Sequence, residues 1–345
     1  MPKDSVGQIG VGVIGYGYWG PNLVRNFHNH PQSKVIAVSD LNPKRLMSVV
    51  DYYPNIKTTL NYRDILKSPE IDVVAIATPV STHYELALQA LLANKHVLVE
   101  KPIANTSQQV LHLIEEADKR NLILMVDHTF AYTSAVVKMS ELVADGHLGS
   151  LYYYDSVRVN LGIIQPDVNV LWDLAVHDLA IINTILPDKP LAVSATGVAH
   201  IKGSPETSAY MTLFFSGTTI AHIHVSWLAP VKIRQTILGG SDKTIIYNDL
   251  EPSEKIKVYD RGITVSENSS TADRYQQLVG YRTGDMWAPK LEPFEALYVE
   301  IDHLLNCIDH QQKPKTAGEE GLRAVKILEA ACLSMQQKGS PITIH

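Results

Sequence analysis

Three short stretches of this sequence hold residues whose types and spacing could do chemistry. The first is Gly15-Tyr16-Gly17-Tyr18-Trp19-Gly20. It follows the apolar run QIGVGVIG and precedes a helical pattern, the context that a G-x-G-x-x-G phosphate turn requires. Gly15 permits a tight turn, Gly17 lets a pyrophosphate approach the backbone, and Gly20 lets the helix pack on the strand. The N-terminus of that helix offers N–H groups and a positive dipole end to phosphate. Asp40 ends the next apolar run, where its carboxylate would accept hydrogen bonds from an adenosine ribose. That favours NAD(H), because a 2′-phosphate would be repelled, while Arg45 nearby leaves NADP open.

The second stretch is Glu100-Lys101-Pro102, at the end of the strand-like run HVLVE. In an open parallel sheet, ligands bind beyond the carboxyl ends of strands. A lysine there could donate to a substrate hydroxyl and stabilise charge developing on its oxygen. From position alone, a surface lysine in a turn fits equally well. The third stretch is Trp172-Asp173-Leu174-Ala175-Val176-His177-Asp178. Asp173 and His177 are four apart on a predicted helix over 171–185, so they share a face. A histidine with an ordinary pKa of about 6.5 can take a hydroxyl proton near neutral pH. Taken alone, an N-terminal carboxylate and a surface histidine describe this pair as well or better.

Weaker candidates stand beside these. Thr78, Pro79 and His83 follow a buried strand and would extend a cofactor pocket. His128, Phe130 and Tyr132 follow the run LILMVD and could border a nicotinamide and its substrate. Arg158 and Asn160 alternate on one strand face and could hold polar groups of a substrate. His222 and His224 also share a strand face, but two histidines without a third ligand do not make a zinc site, and no metal is expected.

The elements that must position these residues are legible from hydrophobic patterning. QIGVGVIG, KVIAVSD, DVVAIATP, HVLVEKP and LILMVD are near-continuous apolar strands, separated by helical patterns. That alternation predicts a doubly wound parallel sheet covered on both faces. A helix near 43–53 has Asn42 as its cap and Pro43 at its first position. The character changes near residue 128. After a helix over 133–145, strand-like runs from SLYYYDSVRVNLG to KTIIYNDL dominate, and helices over 293–311 and 318–338 close the chain. The expected architecture is α/β over 1–128, then an α+β domain over 129–345 with a large, mainly antiparallel open sheet.

With these motifs in order, the chain resembles the Gfo/Idh/MocA oxidoreductases, relatives of glucose–fructose oxidoreductase and inositol dehydrogenase. The resemblance rests on Gly15 to Gly20, on Glu100-Lys101-Pro102, and on Asp173 with His177, and it covers essentially the whole chain. It implies a Rossmann domain binding NAD or NADP, and a C-terminal domain whose open sheet often packs against another subunit. It also implies catalytic roles for Lys101, Asp173 and His177, with Glu100 beside the cofactor and Trp172 beside the substrate. VGVIGYGYWGPNLVRNF with WDLAVHDL looks more specifically like members that act on nucleotide-linked sugars, such as UDP-N-acetylglucosamine-type 3-dehydrogenases. Many members carry a glycine-rich stretch before the helical aspartate. Here it reads DVNVLW, which leaves a free polyol or aldose open as substrate.

Composition narrows the class further. The chain has 345 residues, 45% apolar and 19% charged, with a formal charge of −6. An acidic chain without basic blocks does not suit nucleic acid or anionic membranes. No apolar run approaches the ~18 residues of a membrane-spanning helix, and the N-terminus, with Asp4 early, does not read as a signal peptide. Two separated cysteines, Cys307 and Cys332, fit reduced thiols in the cytoplasm. The expected protein is a cytoplasmic homodimer or homotetramer. A cofactor-sensing regulator without catalysis is the rival from another class, and the presence of Lys101 and His177 counts against it.

Overall fold

The computed structural model describes residues 7–162, 164–165, 167–264 and 280–345. The signal-peptide reading, which leans on Asp4, concerns residues outside that set. The chain forms two compact units. One comprises the residues up to Thr133 together with Phe294–Glu329, and the other comprises Ser134–Pro293 with Ala330–His345. The chain thus returns to the first unit after leaving it.

In the first unit the apolar runs form β1 (Ile9–Ile14), β2 (Ser33–Ser39), β4 (Val73–Ile76), β5 (His96–Glu100) and β6 (Leu124–Asp127). A short β3 (Lys57–Thr59) joins them, and every pair is parallel, in the order β3-β2-β1-β4-β5-β6. Val11, Val13, Val73, Val74, Val97 and Val99 are fully buried, as strands covered on both faces require. Between them run α1 (Gly20–Asn29), α2 (Pro43–Tyr52), α3 (Tyr62–Lys67), α4 (His83–Leu92) and α5 (Ser107–Lys119). Asn42 caps α2 by accepting from the Lys44 N–H, as its spacing predicts. β3 and α3 are additions to the sequence reading, since Lys-Thr-Thr offers no apolar run.

The strand order reverses between β1 and β4, so the carboxyl ends of these two strands flank a crevice. The core beneath it includes a helix from late in the chain, α8 (Ala296–His310). Its Leu297, Ile301, Leu304 and Leu305 pack with Leu23 and Phe27 of α1. Each such side chain contributes about 1.5–3 kcal/mol by burial. Glu295, just before α8, receives Arg25 at 2.6 Å and Asn26 at 3.0 Å.

The second unit is built on a nine-stranded sheet among the described residues, in the order β14-β13-β12-β11-β7-β10-β9-β8-β15. Its long central strands are β7 (Leu151–Leu161), β10 (Ile220–Ser226) and β11 (Leu228–Gly240). β8 (Ala192–Val198), β9 (Ser208–Phe214) and the two-residue β15 (Ile342–Thr343) complete one side. β12 (Thr244–Asn248), β13 (Ile256–Thr264) and β14 (Gly280–Trp287) complete the other. All pairs are antiparallel except β7 with β10, which run parallel. β13 and β14 are too polar to have declared themselves as strands.

Alternation gives this sheet two faces. Tyr154, Ala221, Ile223, Met211, Leu213 and Leu238 are fully buried on one. The other leaves Tyr153, Tyr210, Phe214, Ile220 and Ile233 exposed. On this open face His222 sits 3.2 Å from Asp155, and His224 stacks on Tyr210 with ring centroids 4.3 Å apart. The unit also contains α6 (Ser134–Ala144) and α7 (Val176–Ile185), and α9 (Gly318–Gln336) crosses the division after Glu329.

Candidate active site

The turn Gly15–Gly20 joins β1 to α1 at the strand-order reversal. Gly15 has φ of +95°, and a Cβ there would collide with the Ala77 carbonyl at the end of β4. A Cβ on Gly20 would collide with the Gly15 carbonyl. These two glycines are demanded by close backbone approach. Gly17 differs: a Cβ there would meet nothing nearer than the Arg45 guanidinium at 3.7 Å. The Cβ side of Gly17 is therefore open, a cradle that leaves the turn's backbone accessible to a pyrophosphate.

Asp40 closes this turn from the β2 side. Its Oδ2 accepts from the Tyr16 N–H at 2.7 Å, and its Oδ1 accepts from the Asn42 N–H at 2.7 Å. Arg45 Nη1 lies 3.3 Å from Oδ2. The carboxylate thus shapes the turn. Tyr16 is buried and Tyr18 is fully exposed, while Trp19 is half-buried and donates its Nε1–H to Asp127 Oδ2 at 2.6 Å.

Thr78 and Pro79 follow β4 beside the crevice, with Thr78 half-buried and Pro79 exposed. His83 does not join them as a cofactor contact. It is 1% exposed, and its ring nitrogens lie 2.8 Å from the Pro102 and Thr78 carbonyl oxygens. Its place is a brace between the loop after β4 and the turn that follows Lys101.

Lys101 is half-buried, immediately beyond β5. Glu100 Oε2 accepts the Lys101 N–H at 2.9 Å. Burial and the neighbouring Asp127 push Glu100 well above the usual carboxylate range, with Lys101 opposing them. His128, after β6, is 2% exposed and its Nδ1 has no hydrogen-bond partner. Burial first, then the Lys101 charge, hold its pKa down to about 4. His128 is therefore neutral at physiological pH. Tyr132 is a core residue rather than a substrate contact: it is buried, and its hydroxyl meets Thr316 Oγ1 at 3.1 Å. Phe130 is half-buried in the turn between them.

In the second unit, the predicted helix over 171–185 starts as a π-turn, Leu171–Ala175, before α7 takes over. The Val176 N–H donates to the Leu171 carbonyl five residues back. Such turns recur at functional sites. Asn169 Oδ1 holds the start of the turn by accepting from the Leu171 and Trp172 N–H groups at 3.1 and 3.3 Å. Asp173 and His177 are half-buried, whereas Leu174, Ala175, Val176, Asp178, Leu179 and Ala180 are buried. The pair therefore shares the less buried side of this element, as its spacing predicts. Trp227 Nε1 donates to Asp173 Oδ2 at 2.9 Å and orients that carboxylate. Trp172 is half-buried and donates its own Nε1–H to Cys332 Sγ at 3.3 Å.

Arg158 is corrected by the structure. It is 3% exposed and its Nε donates to Asp178 Oδ2 at 2.7 Å, so it anchors β7 to α7 instead of facing a substrate. Burial works against its charge, but the Asp178 carboxylate outweighs that and raises its pKa. Breaking a buried pair of this kind costs about 3–5 kcal/mol. Asn160, two residues on, is half-buried. Among the described residues no group of three or more His, Cys, Asp or Glu is arranged to hold a metal ion, and no helix is long and apolar enough to cross a membrane.

With this geometry in hand, comparison with known proteins gives the class. Residues 9–128 match the oxidoreductase family with an NAD-binding Rossmann fold, and residues 140–344 match its C-terminal alpha/beta domain. The chain belongs to the Gfo/Idh/MocA oxidoreductase family. It is 27% identical to the UDP-N-acetylglucosamine 3-dehydrogenase of Acidithiobacillus ferrooxidans, over 91% of this chain and 93% of that protein. It is 23% identical to the myo-inositol 2-dehydrogenase of Thermotoga maritima, over 96% of this chain and 97% of that protein. The solved structure of the Acidithiobacillus ferrooxidans enzyme superposes with a TM-score of 0.80, covering 96% of this chain and 98% of that one at 23% identity. A levoglucosan dehydrogenase in complex with NADH and levoglucosan superposes with a TM-score of 0.82, covering 98% and 99% at 19% identity. The first unit is thus an NAD-binding domain, and the open cradle over Gly17 fits that group.

The depressed His128 pKa has a consequence for stability. The unfolded chain takes up a proton on this histidine as pH falls through about 6.5, while the folded chain resists until about 4. Its contribution of about 3 kcal/mol is fully present above pH 6.5 and is lost as pH falls through that window. Urea denaturation at pH 7.5 and pH 4.5 should show a smaller acid loss in His128→Gln than in the wild type. Equal losses in both would contradict the assignment.

Proposed function

We propose that this chain is an NAD(H)-dependent dehydrogenase or reductase acting on a secondary alcohol or ketone of a nucleotide-linked sugar. A UDP-N-acetylhexosamine derivative handled at its 3-position is the substrate type. The observation that carries the reading is Lys101 at the carboxyl end of β5, in the same parallel sheet as an open Gly17 cradle. The whole-length similarity to a UDP-N-acetylglucosamine 3-dehydrogenase supports the substrate class.

When bound, the nicotinamide supplies the hydride acceptor for the carbinol carbon. The cradle of Gly15, Gly17 and Gly20 with the N-terminus of α1 binds the pyrophosphate. Asp40 accepts from the adenosine ribose, and Arg45, half-exposed beside it, is the residue that would admit a 2′-phosphate. Thr78 and Pro79 border the same crevice. Lys101 donates to the substrate oxygen and stabilises its negative charge as the proton leaves. His177 accepts that proton, a role that needs a histidine with access to solvent, and it is half-buried rather than sealed. Asp173, oriented by Trp227, binds a neighbouring hydroxyl or tunes the electrostatics around His177. Ketone reduction uses the same groups in reverse.

The open sheet face, with Tyr153, Tyr210, Phe214, Ile220 and Ile233 exposed, is read as the surface of a homodimer or homotetramer. Sedimentation velocity giving a monomer at micromolar concentration would remove that part. Cys307 and Cys332 are free thiols, in keeping with a cytoplasmic protein.

The test follows absorbance at 340 nm with NAD⁺ and panels of UDP-sugars, free aldoses and inositols. Turnover confined to the free polyols would move the substrate to the inositol-like class of the second relative. Lys101→Ala should lower kcat by about 10²–10³-fold, while the dissociation constant for the dinucleotide stays within about twofold. Normal turnover in that variant would contradict the assignment.

A further inference from the structure

Asp127 is the last residue of β6 and is 2% exposed. Its Oδ2 accepts the Trp19 indole N–H at 2.6 Å, and its Oδ1 accepts the Thr129 hydroxyl at 2.6 Å. Both oxygens accept, and both bonds are short. Asp127 also pairs in register with Glu100, whose carboxylate receives the Lys101 N–H. Glu300 of α8 is fully buried beside it, with neither oxygen reaching a partner at hydrogen-bond geometry. Burial, then Asp127 and Glu100, push Glu300 well above the carboxylate range. Burial and Asp127 do the same to Glu100.

Trp19 is one of the two variable positions between Gly17 and Gly20. The fingerprint turn has few side-chain anchors, because three of its six residues are glycine and Tyr18 points into solvent. Tyr16 N–H to Asp40 anchors it from β2. Trp19 to Asp127 anchors it from β6, on the other side of β1 in the sheet. We propose that Asp127 is a positioning residue for the dinucleotide, holding the fingerprint turn through Trp19 and tying it to the strand end that carries Lys101. This rests on the reading of the Gly17 cradle as the dinucleotide site. The alternative is a packing role, which would change stability and leave affinity alone.

The experiment is calorimetric titration of the full chain with NADH, at a temperature where every variant is folded. The set is wild type, Asp127→Ala, Asp127→Asn, Trp19→Phe and the double variant Trp19→Phe/Asp127→Ala. Asp127→Ala and Trp19→Phe should each raise the NADH dissociation constant about tenfold. The double variant should lose no more than about twofold beyond the weaker single, because the two residues share one bond. Asp127→Asn, which keeps a neutral acceptor for the indole, should recover part of the loss. The KM for the dinucleotide should rise while kcat at saturation stays within about threefold. Wild-type affinity in a folded Asp127→Ala, or fully additive losses, would overturn the proposal. Should Asp127→Ala not fold, Trp19→Phe decides it, and wild-type affinity there has the same meaning. A wild type that does not bind NADH would instead refute the dinucleotide reading itself.

Discussion

One close approach governs the first unit. Where β1 ends, the backbone at Gly15 passes so near the Ala77 carbonyl that no side chain fits, and Gly20 comes as near to the Gly15 carbonyl. This brings the N-terminus of α1 to the point where the strand order reverses. The turn that results is short of side chains, so carboxylates at the ends of β2 and β6 hold it. Asp40 takes the Tyr16 N–H from β2, and Asp127 takes the Trp19 indole from β6. The opening above Gly17 is the product of these constraints. Lys101 stands in the same frame, because β5 and β6 end together at Glu100 and Asp127.

The second unit solves a different problem. A long sheet must hold a polar pair, Asp173 and His177, at the edge of an otherwise buried element. A π-turn begins that element, Asn169 caps it, and Trp227 holds Asp173. Beneath it, the Arg158–Asp178 pair fixes α7 to β7. A buried ion pair is a weak source of net stability, but it penalises any arrangement that separates its partners. It therefore restricts where α7 can sit, and with it His177.

Much of this was legible in the sequence, for identifiable reasons. Parallel strands buried on both faces leave near-continuous apolar runs, and Asn42-Pro43 marks a helix start by known capping chemistry. Gly15 and Gly20 of the fingerprint are readable because each answers a steric demand. β3, β13 and β14 were not legible, since polar strands carry little hydrophobic signal. Arg158 misleads because alternation places it on a face without saying that Asp178 waits across from it. His83 misleads in the same way: its neighbours in sequence border the crevice, while its ring turns inward to two carbonyls. Asp127 and Trp227 lie in no motif that the sequence displays, although an acid ending a parallel strand opposite Glu100 is a signal that strand alignment exposes.

The proposed function requires that the space over Gly17 serve a dinucleotide and not the fold. Gly17→Val tests it most directly, because its Cβ meets no backbone and only the flexible Arg45 side chain at 3.7 Å. The variant should unfold within about 1 kcal/mol of the wild type and lose at least about 100-fold in affinity for NAD⁺. A folded Gly17→Val chain that binds NAD⁺ as the wild type does would refute the dinucleotide role of this space.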